Sequence, residues 1–276
     1  MTPELPRRIT GPPAAGPAPR YAAWRGLRPR KAWRYVGVYG PELMLCAGVA
    51  RIGPAPQAFW AVWDRRAGVL RERTHLRPTR AVALPGGALR IRDGGVEVDL
   101  RLEADGEPVA VTSPHGRHAI WTRKQPVRAV GTVRLDGIAR AVDARGLVDD
   151  SVGHHARETA WRWAAGVGRT PDGRAVAWNL VDGVHDDPAA SERTVWVDGA
   201  PAHRRPVLFA GDLGRLTFRE GGELAFRAEA VRERHDRLGP VSSDYVQPFG
   251  TATGSLGAGI ELAEGYGVME RHVARW

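Results

Sequence analysis

The sequence predicts an all-β protein, and three observations carry that expectation. Leu89–Arg92 and Val96–Leu102 alternate apolar and polar residues about Asp93-Gly94-Gly95, the mark of a hairpin with one buried face. Glycine-containing turns recur at strand-like intervals, at Asp105-Gly106, Asp136-Gly137, Pro171-Asp172-Gly173, Asp198-Gly199 and Gly221-Gly222. No useful window repeats its apolar residues every 3.6 positions; Ala228–Asp236 comes nearest to a short helix, and 149–158 reads as irregular or one helical turn. So many antiparallel strands hide their edges only by closing into barrels or packing as sandwiches.

Taken in order, residues 1–32 are rich in Pro, Gly and Arg. The prolines remove backbone donors and bar helix, so this segment reads as an extended or disordered arm, its Tyr21 and Trp24 able to lie along the body. From Trp33 onward the chain reads as strand after strand. Thr194–Val197 and Glu223–Val231 alternate as the 89–102 hairpin does. A division near 135/136 is expected, giving an N-terminal β-barrel half over 33–135 and a C-terminal half over 136–276. The balance of charge changes sign there, although apolar alternation runs through 127–131 and a strand could cross it.

A hydrophobic content of 43% in 276 residues is enough for a sizeable core. The longest apolar run, Leu43–Ala50, is interrupted by Cys46 and Gly48 and is far below the ~20 residues that span a bilayer. The N-terminus has no apolar signal-like stretch, and the lone Cys46 has no internal partner for a disulfide. The expectation is a cytoplasmic protein with no transmembrane segment. The net charge of +9 invites a nucleic-acid reading, but the basic excess lies in the first 130 residues and the remainder is slightly acidic. Only Lys31 and Lys124 are lysines, so the positive charge is almost wholly arginine, as a GC-rich genome would produce. No recognisable module interleaves these arginines with aromatics, and nucleic acid is not expected as a partner.

The chemistry-bearing groups concentrate between Asp143 and Asp187. On a strand from Arg157 to Val167, Trp161 and Trp163 share a face and make a flat apolar wall, which Trp178 and Asn179 rejoin across the Pro171-Asp172-Gly173 turn. Such a wall fills a core or lines a pocket. Asp149 and Asp150 either cap a turn with Ser151 or supply a carboxylic acid kept protonated by apolar surroundings. His154 and His155 face opposite sides on extended chain, so at most one enters a pocket as the complementary base. Near the C-terminus, Tyr245 and Gln247 precede a final strand on which Glu270 and His272 share the face of Val268 and Ala274. They are either a working pair or an exposed edge pair. There is no His-Glu-x-x-His, no Cys-x-x-Cys and no supporting spacing for His154, His185 and His272, so no metal is expected.

The motifs Asp149-Asp150-Ser151-Val152-Gly153-His154-His155, Thr159-Ala160-Trp161-Arg162-Trp163, Ala177-Trp178-Asn179-Leu180, Glu192–Gly199, Ser242–Gly250 and Gly265–His272 together resemble the bacterial family termed domain of unknown function 2804, over roughly residues 35–276. That family is similar in pattern to the lipocalin-like proteins grouped with carotenoid 1,2-hydratase, hydroxyneurosporene synthase and the Diels–Alderase-type cyclases. The resemblance implies two packed lipocalin-like, calycin-like β-barrel halves, an apolar cavity and no redox cofactor. It carries neither a reaction nor a catalytic residue.

The functional expectation is a protein that binds a hydrophobic small molecule, lipid-, terpenoid- or polyketide-like, in a β-barrel cavity. If it is an enzyme, cofactor-free acid/base hydration, isomerisation or cyclisation follows. Asp150 or Asp149 would be the acid, His155 or His272 the base, with Glu270 beside them and Trp161, Trp163 and Trp178 as the wall. The alternatives are a non-catalytic carrier with the same barrel and an anionic-surface or nucleic-acid binder acting through the basic arm.

Overall fold

The computed structural model describes residues 18–115, 118–239 and 241–275. Among them every regular element is a strand. No helix there is long and apolar enough to cross a membrane. A small hairpin, β1 (Trp24–Arg25) with β2 (Arg28–Pro29), precedes the first sheet. That sheet holds β3 (Lys31–Tyr39), β4 (Leu43–Ile52), β5 (Ala55–Asp64) and β6 (Val69–His75). It continues with β7 (Val82–Ala83), β8 (Ala88–Asp93), β9 (Val96–Ala104) and β10 (Val109–His115), and closes on the long hairpin β11 (His118–Leu135) and β12 (Ile138–Gly153). Its order is β6-β5-β4-β3-β12-β11-β9-β8-β7, with β10 paired to β11.

The second sheet begins at β13 (Glu158–Arg169) and β14 (Ala175–Asp182). A short pair, β15 (Asp186–Asp187) and β16 (Ala190–Ser191), interrupts it. It resumes with β17 (Thr194–Val197), β18 (Ala200–His203), β19 (Val207–Phe209) and β20 (Arg215–Phe218). Three long strands complete it: β21 (Glu223–Leu238), β22 (Val241–Ser255) and β23 (Glu261–Arg275). The order is β18-β17-β14-β13-β23-β22-β21-β20-β19. Each sheet curls on itself, β7 coming to lie against β4 and β5, and β19 against β14.

Local chemistry explains the hairpins. Gly94 and Gly95 both take positive φ, 56° and 82°, between paired Asp93 and Val96. A two-residue turn with both central residues left-handed matches the right-handed twist of its flanking strands. Val96, Val98 and Leu100 of β9 are buried while Glu97, Asp99 and Arg101 are exposed, as the alternation predicts.

Three apolar clusters follow from strand parity. One fills the first barrel, with Leu89, Ile91 and Leu100 among its side chains. Another fills the second barrel with Trp178, Leu216 and Phe226. The third lies between them and draws on the outer faces of both sheets, through Tyr35, Cys46 and Leu147 of the first and Trp163, Val181 and Phe249 of the second. Strands along this seam are therefore buried on both faces. Leu43–Ala47 reads as an uninterrupted apolar run for that reason: Met44 and Cys46 face the seam, Leu45 and Ala47 the barrel core.

The structure places four of these stretches. The change of sheet falls between Gly153 and Glu158; position 135/136 is the tip of the β11–β12 hairpin, where Asp136 and Gly137 form the turn. Residues 149–153 are extended in β12, because they pair on both sides, with β11 and with β3. Ala228–Asp236 is also strand, paired along β22. Of the arm, residues 1–17 lie outside the described residues. The remainder is ordered structure: Trp24–Pro29 forms the small hairpin, Lys31 and Ala32 already belong to β3, and Tyr21 packs edge-on against His154 with ring centroids 5.7 Å apart.

Candidate functional site

The polar groups buried in the seam form one network built from both sheets. On β12 the parity of the strand sends Asp149 into the seam, and β11 places Lys124 opposite it in register. Lys124 Nζ lies 2.6 Å from Asp149 Oδ2 and 3.2 Å from Oε1 of Glu192, which arrives from the loop before β17. Asn179 of β14 donates to the Glu192 carbonyl at 3.0 Å and accepts from Trp163 Nε1 at 2.7 Å. Lys124, Glu192 and Asn179 are all buried. Burial pushes the Asp149 carboxyl up to about 6; Lys124 opposes the shift and Glu192 adds to it. Two carboxylates sharing one ammonium away from water give that direction.

The second sheet supplies the other half of the network. Tyr245, His272 and Trp161 stand in one row across β22, β23 and β13. The His272 ring lies 4.3 Å from that of Trp161 and 5.3 Å from that of Tyr245. All three are partly buried and edge the seam, and two residues deeper on β23 Glu270 is buried. Trp161 Nε1 donates to Glu270 Oε1 at 2.7 Å and Gln247 Nε2 to Glu270 Oε2 at 2.9 Å. Gln247 in turn accepts from the Cys46 thiol at 3.4 Å, which ties the two sheets together. Arg232 of β21, buried, lies 4.8 Å from the Tyr245 ring centroid and 4.4 Å from that of Phe59, and pairs with Glu72 at 2.9 Å.

Burial pushes the Glu270 carboxyl up to about 7, although the bonds from Trp161 and Tyr245 favour its charged form. His272 moves the other way. Loss of solvent, with Arg232 adding to it, pushes its imidazole down to about 4, and its Nε2 lies 2.8 Å from Ser243 Oγ. At neutral pH the site therefore presents a carboxyl group poised between its two forms near an uncharged imidazole.

The site residues expected from sequence divide accordingly. Asp149, Trp161, Trp163, Asn179, Tyr245, Gln247, Glu270 and His272 all reach the seam. Trp178 does not join that wall: adjacent residues on a strand face opposite ways, so with Asn179 in the seam the Trp178 indole lies in the second barrel's core, on Gly166, where a Cβ would overlap it. Asp150 faces away from the seam for the same reason and is held by Arg34 through bonds of 2.6 and 2.9 Å. His155 is buried, but its ring packs on Trp33, His115 and His185 at the other end of the seam. Burial also pushes His155 and His185 well down, and neither ring nitrogen of His185 has a hydrogen-bond partner among the described residues. Among those residues no group of three or more His, Cys, Asp or Glu side chains is arranged to hold a metal ion.

Sequence reading missed Lys124, Glu192, Arg232 and Cys46 as members of the network. One signal was present. In a chain whose cations are almost all arginine, Lys124 is one of only two lysines.

Comparison with known proteins places this architecture. An AttH-like protein from Nitrosomonas europaea shares the fold with a TM-score of 0.60 at 15% identity, over 95% of this chain and 98% of its own. Kievitone hydratase from Nectria haematococca does so with a TM-score of 0.59 at 12% identity, over 87% of this chain and 88% of its own. Likeness at these identities is one of fold: two lipocalin-like barrels packed through a shared seam. Among curated proteins, none matches this sequence. The family model described as domain of unknown function (DUF2804) matches residues 86–276, from just before β8 to the end of the chain. The match spans more than half of the chain and nearly all of the seam network, and the chain belongs to the DUF2804 family.

Proposed function

We propose that the seam holds a small apolar molecule against Trp161, Tyr245 and His272, and that Glu270 exchanges a proton with it without a redox cofactor. The observation that carries this reading is Glu270 itself. A carboxyl group buried between two barrels, bonded on both oxygens and raised to about 7 is costly to keep, and proton transfer near neutral pH is the task such a group suits. The kievitone hydratase of similar fold is, by its name, a hydratase, which agrees with this class of chemistry.

For hydration of an alkene, the Glu270 proton goes to one carbon and leaves a cation on the next. The indole face of Trp161 and the ring of Tyr245 steady that charge. Water adds to the cationic carbon and loses its proton to neutral His272, and exchange with solvent reprotonates Glu270. Isomerisation or cyclisation uses the same first step, with proton loss or ring closure replacing the attack by water.

The test is Glu270→Gln, assayed with a panel of unsaturated apolar ligands by tryptophan quenching and by product analysis. The expected result is retained binding with turnover abolished, and a parental rate that falls as pH rises through about 7 while Glu270 loses its proton. Turnover unchanged in the variant would remove Glu270 from the mechanism. A parental protein that binds panel members and converts none would leave a carrier in place of an enzyme.

A further inference from the structure

The first barrel is open at one end. Its apolar core stops short of the ends of β3, β11 and β12, where a cavity of about 920 Å³ opens to solvent. That size suits a small organic ligand. Val49, Ala58 and Val82 form its floor and belong to, or pack against, the barrel core. Trp121, buried, forms part of the wall.

The charges around this floor are one-sided. Asp150 is the only acid in the lining, and Arg34 already neutralises it through two hydrogen bonds. Arg123, on the same face of β11 as Trp121 and opposite Asp150 in register, donates from Nη2 to the uncharged Gln125 side chain at 2.7 Å. Arg51 and Arg77 add two exposed guanidinium groups at the rim. Among the described residues, none of these three arginines is ion-paired. An apolar floor under an unneutralised guanidinium fork is complementary to a ligand that is greasy at one end and anionic at the other.

We infer that the mouth of the first barrel binds an amphipathic organic acid, its apolar body on Val49, Ala58, Val82 and Trp121 and its carboxylate on Arg123. This site is distinct from the seam, although both use the β11–β12 hairpin. Lys124 and Asp149 face the seam from one side of that hairpin; Arg123 and Asp150 face the mouth from the other. A neutral apolar compound, sufficient for the seam chemistry proposed above, lacks the group this mouth is built to recognise.

Calorimetric titration of the full chain with sodium decanoate and with 1-decanol tests the inference. Decanoate is expected to bind about tenfold or more tightly than decanol, the usual scale of one charge-assisted pair. Arg123→Gln should remove most of that preference and leave decanol binding unchanged. Asp150→Asn should strengthen decanoate binding, because it removes the competing anion and frees Arg34. Glu270→Gln should change neither, so the mouth and the seam can fail separately. Equal affinity for the two ligands, or a decanoate affinity that survives Arg123→Gln and falls with Glu270→Gln, overturns the proposal. Should Arg123→Gln not fold by thermal unfolding, Ala58→Phe takes its place. It fills the floor and should remove the preference for decanoate over decanol, and a preference retained in that variant overturns the site.

Discussion

Lys124 and Lys31, the only lysines in the chain, are both buried, yet they stand in opposite electrostatic company. Burial alone would lower the Lys124 ammonium, but Asp149 and Glu192 overcome that and hold it above its ordinary value. Around Lys31 solvent is lost and Arg28 lies near. Burial, with Arg28 adding to it, pushes Lys31 down to about 7, and it depresses His155 and His115 in turn. The same side chain in the same kind of enclosure is thus kept charged at one end of the seam and brought near neutrality at the other. Desolvation is common to both sites, and at Lys124 the two carboxylates outweigh it.

The largest effect is expected from Lys124→Met. It leaves Asp149 and Glu192 facing each other without a cation, and such a break in a buried pair costs about 3–5 kcal/mol. Denaturant unfolding measures this directly; a loss under about 1 kcal/mol would mean that the two acids are already satisfied without the ammonium.

Glu270→Gln comes next and acts through pH. The native carboxyl, raised to about 7 from 4.5, binds its proton more tightly than the unfolded chain does. Its contribution to stability is therefore complete below about pH 4.5 and is lost as pH rises to about 7. His272, lowered to about 4 from 6.5, has the opposite slope, its contribution being lost as pH falls through that interval. Relative to the variant, the parent should lose roughly 2–3 kcal/mol between pH 4.5 and 7 in thermal unfolding, and parallel curves would show that the carboxyl is not shifted.

Lys31→Met should show itself in the slope of stability above neutral pH. A lysine whose folded value is lowered to about 7 penalises the native state at neutral pH and is relieved as pH rises towards 10.5. The parent should gain about 1–2 kcal/mol between pH 7.5 and 9.5, and the variant should not. A gain of equal size in both would assign it to other groups. Smallest is Asp150→Asn, which breaks a partly exposed pair with Arg34 and should shift the unfolding midpoint by less than about 1 kcal/mol. Its neighbour Asp149, one residue away on the other face, supplies the contrast.

Much of the fold was readable in advance, because period-two alternation and glycine turns are local signals. Val96–Leu102 shows this, as does the pairing of Glu270 with His272 on one face of β23. The choice between Asp149 and Asp150 was not readable. Parity says that they point apart but cannot say which side the second barrel will cover. Trp178 failed for the same reason: its place opposite Asn179 was available from spacing, but a turn of unknown geometry hid which of the two would face Trp163. Lys124 and Glu192 were out of reach altogether as partners, since 68 positions separate them and one lies on β11 while the other lies in the loop before β17.

By itself the sequence determined the strands, their turns and which side chains share a face, since these depend on neighbours two to four residues away. The tertiary structure decided that the outer faces of two filled barrels meet, and so that Asp149, Lys124, Glu192 and Glu270 lose water together. The upward shifts of Asp149 and Glu270 follow from that burial, because surroundings supplied by distant parts of the chain replace the solvent that favours a charged carboxylate.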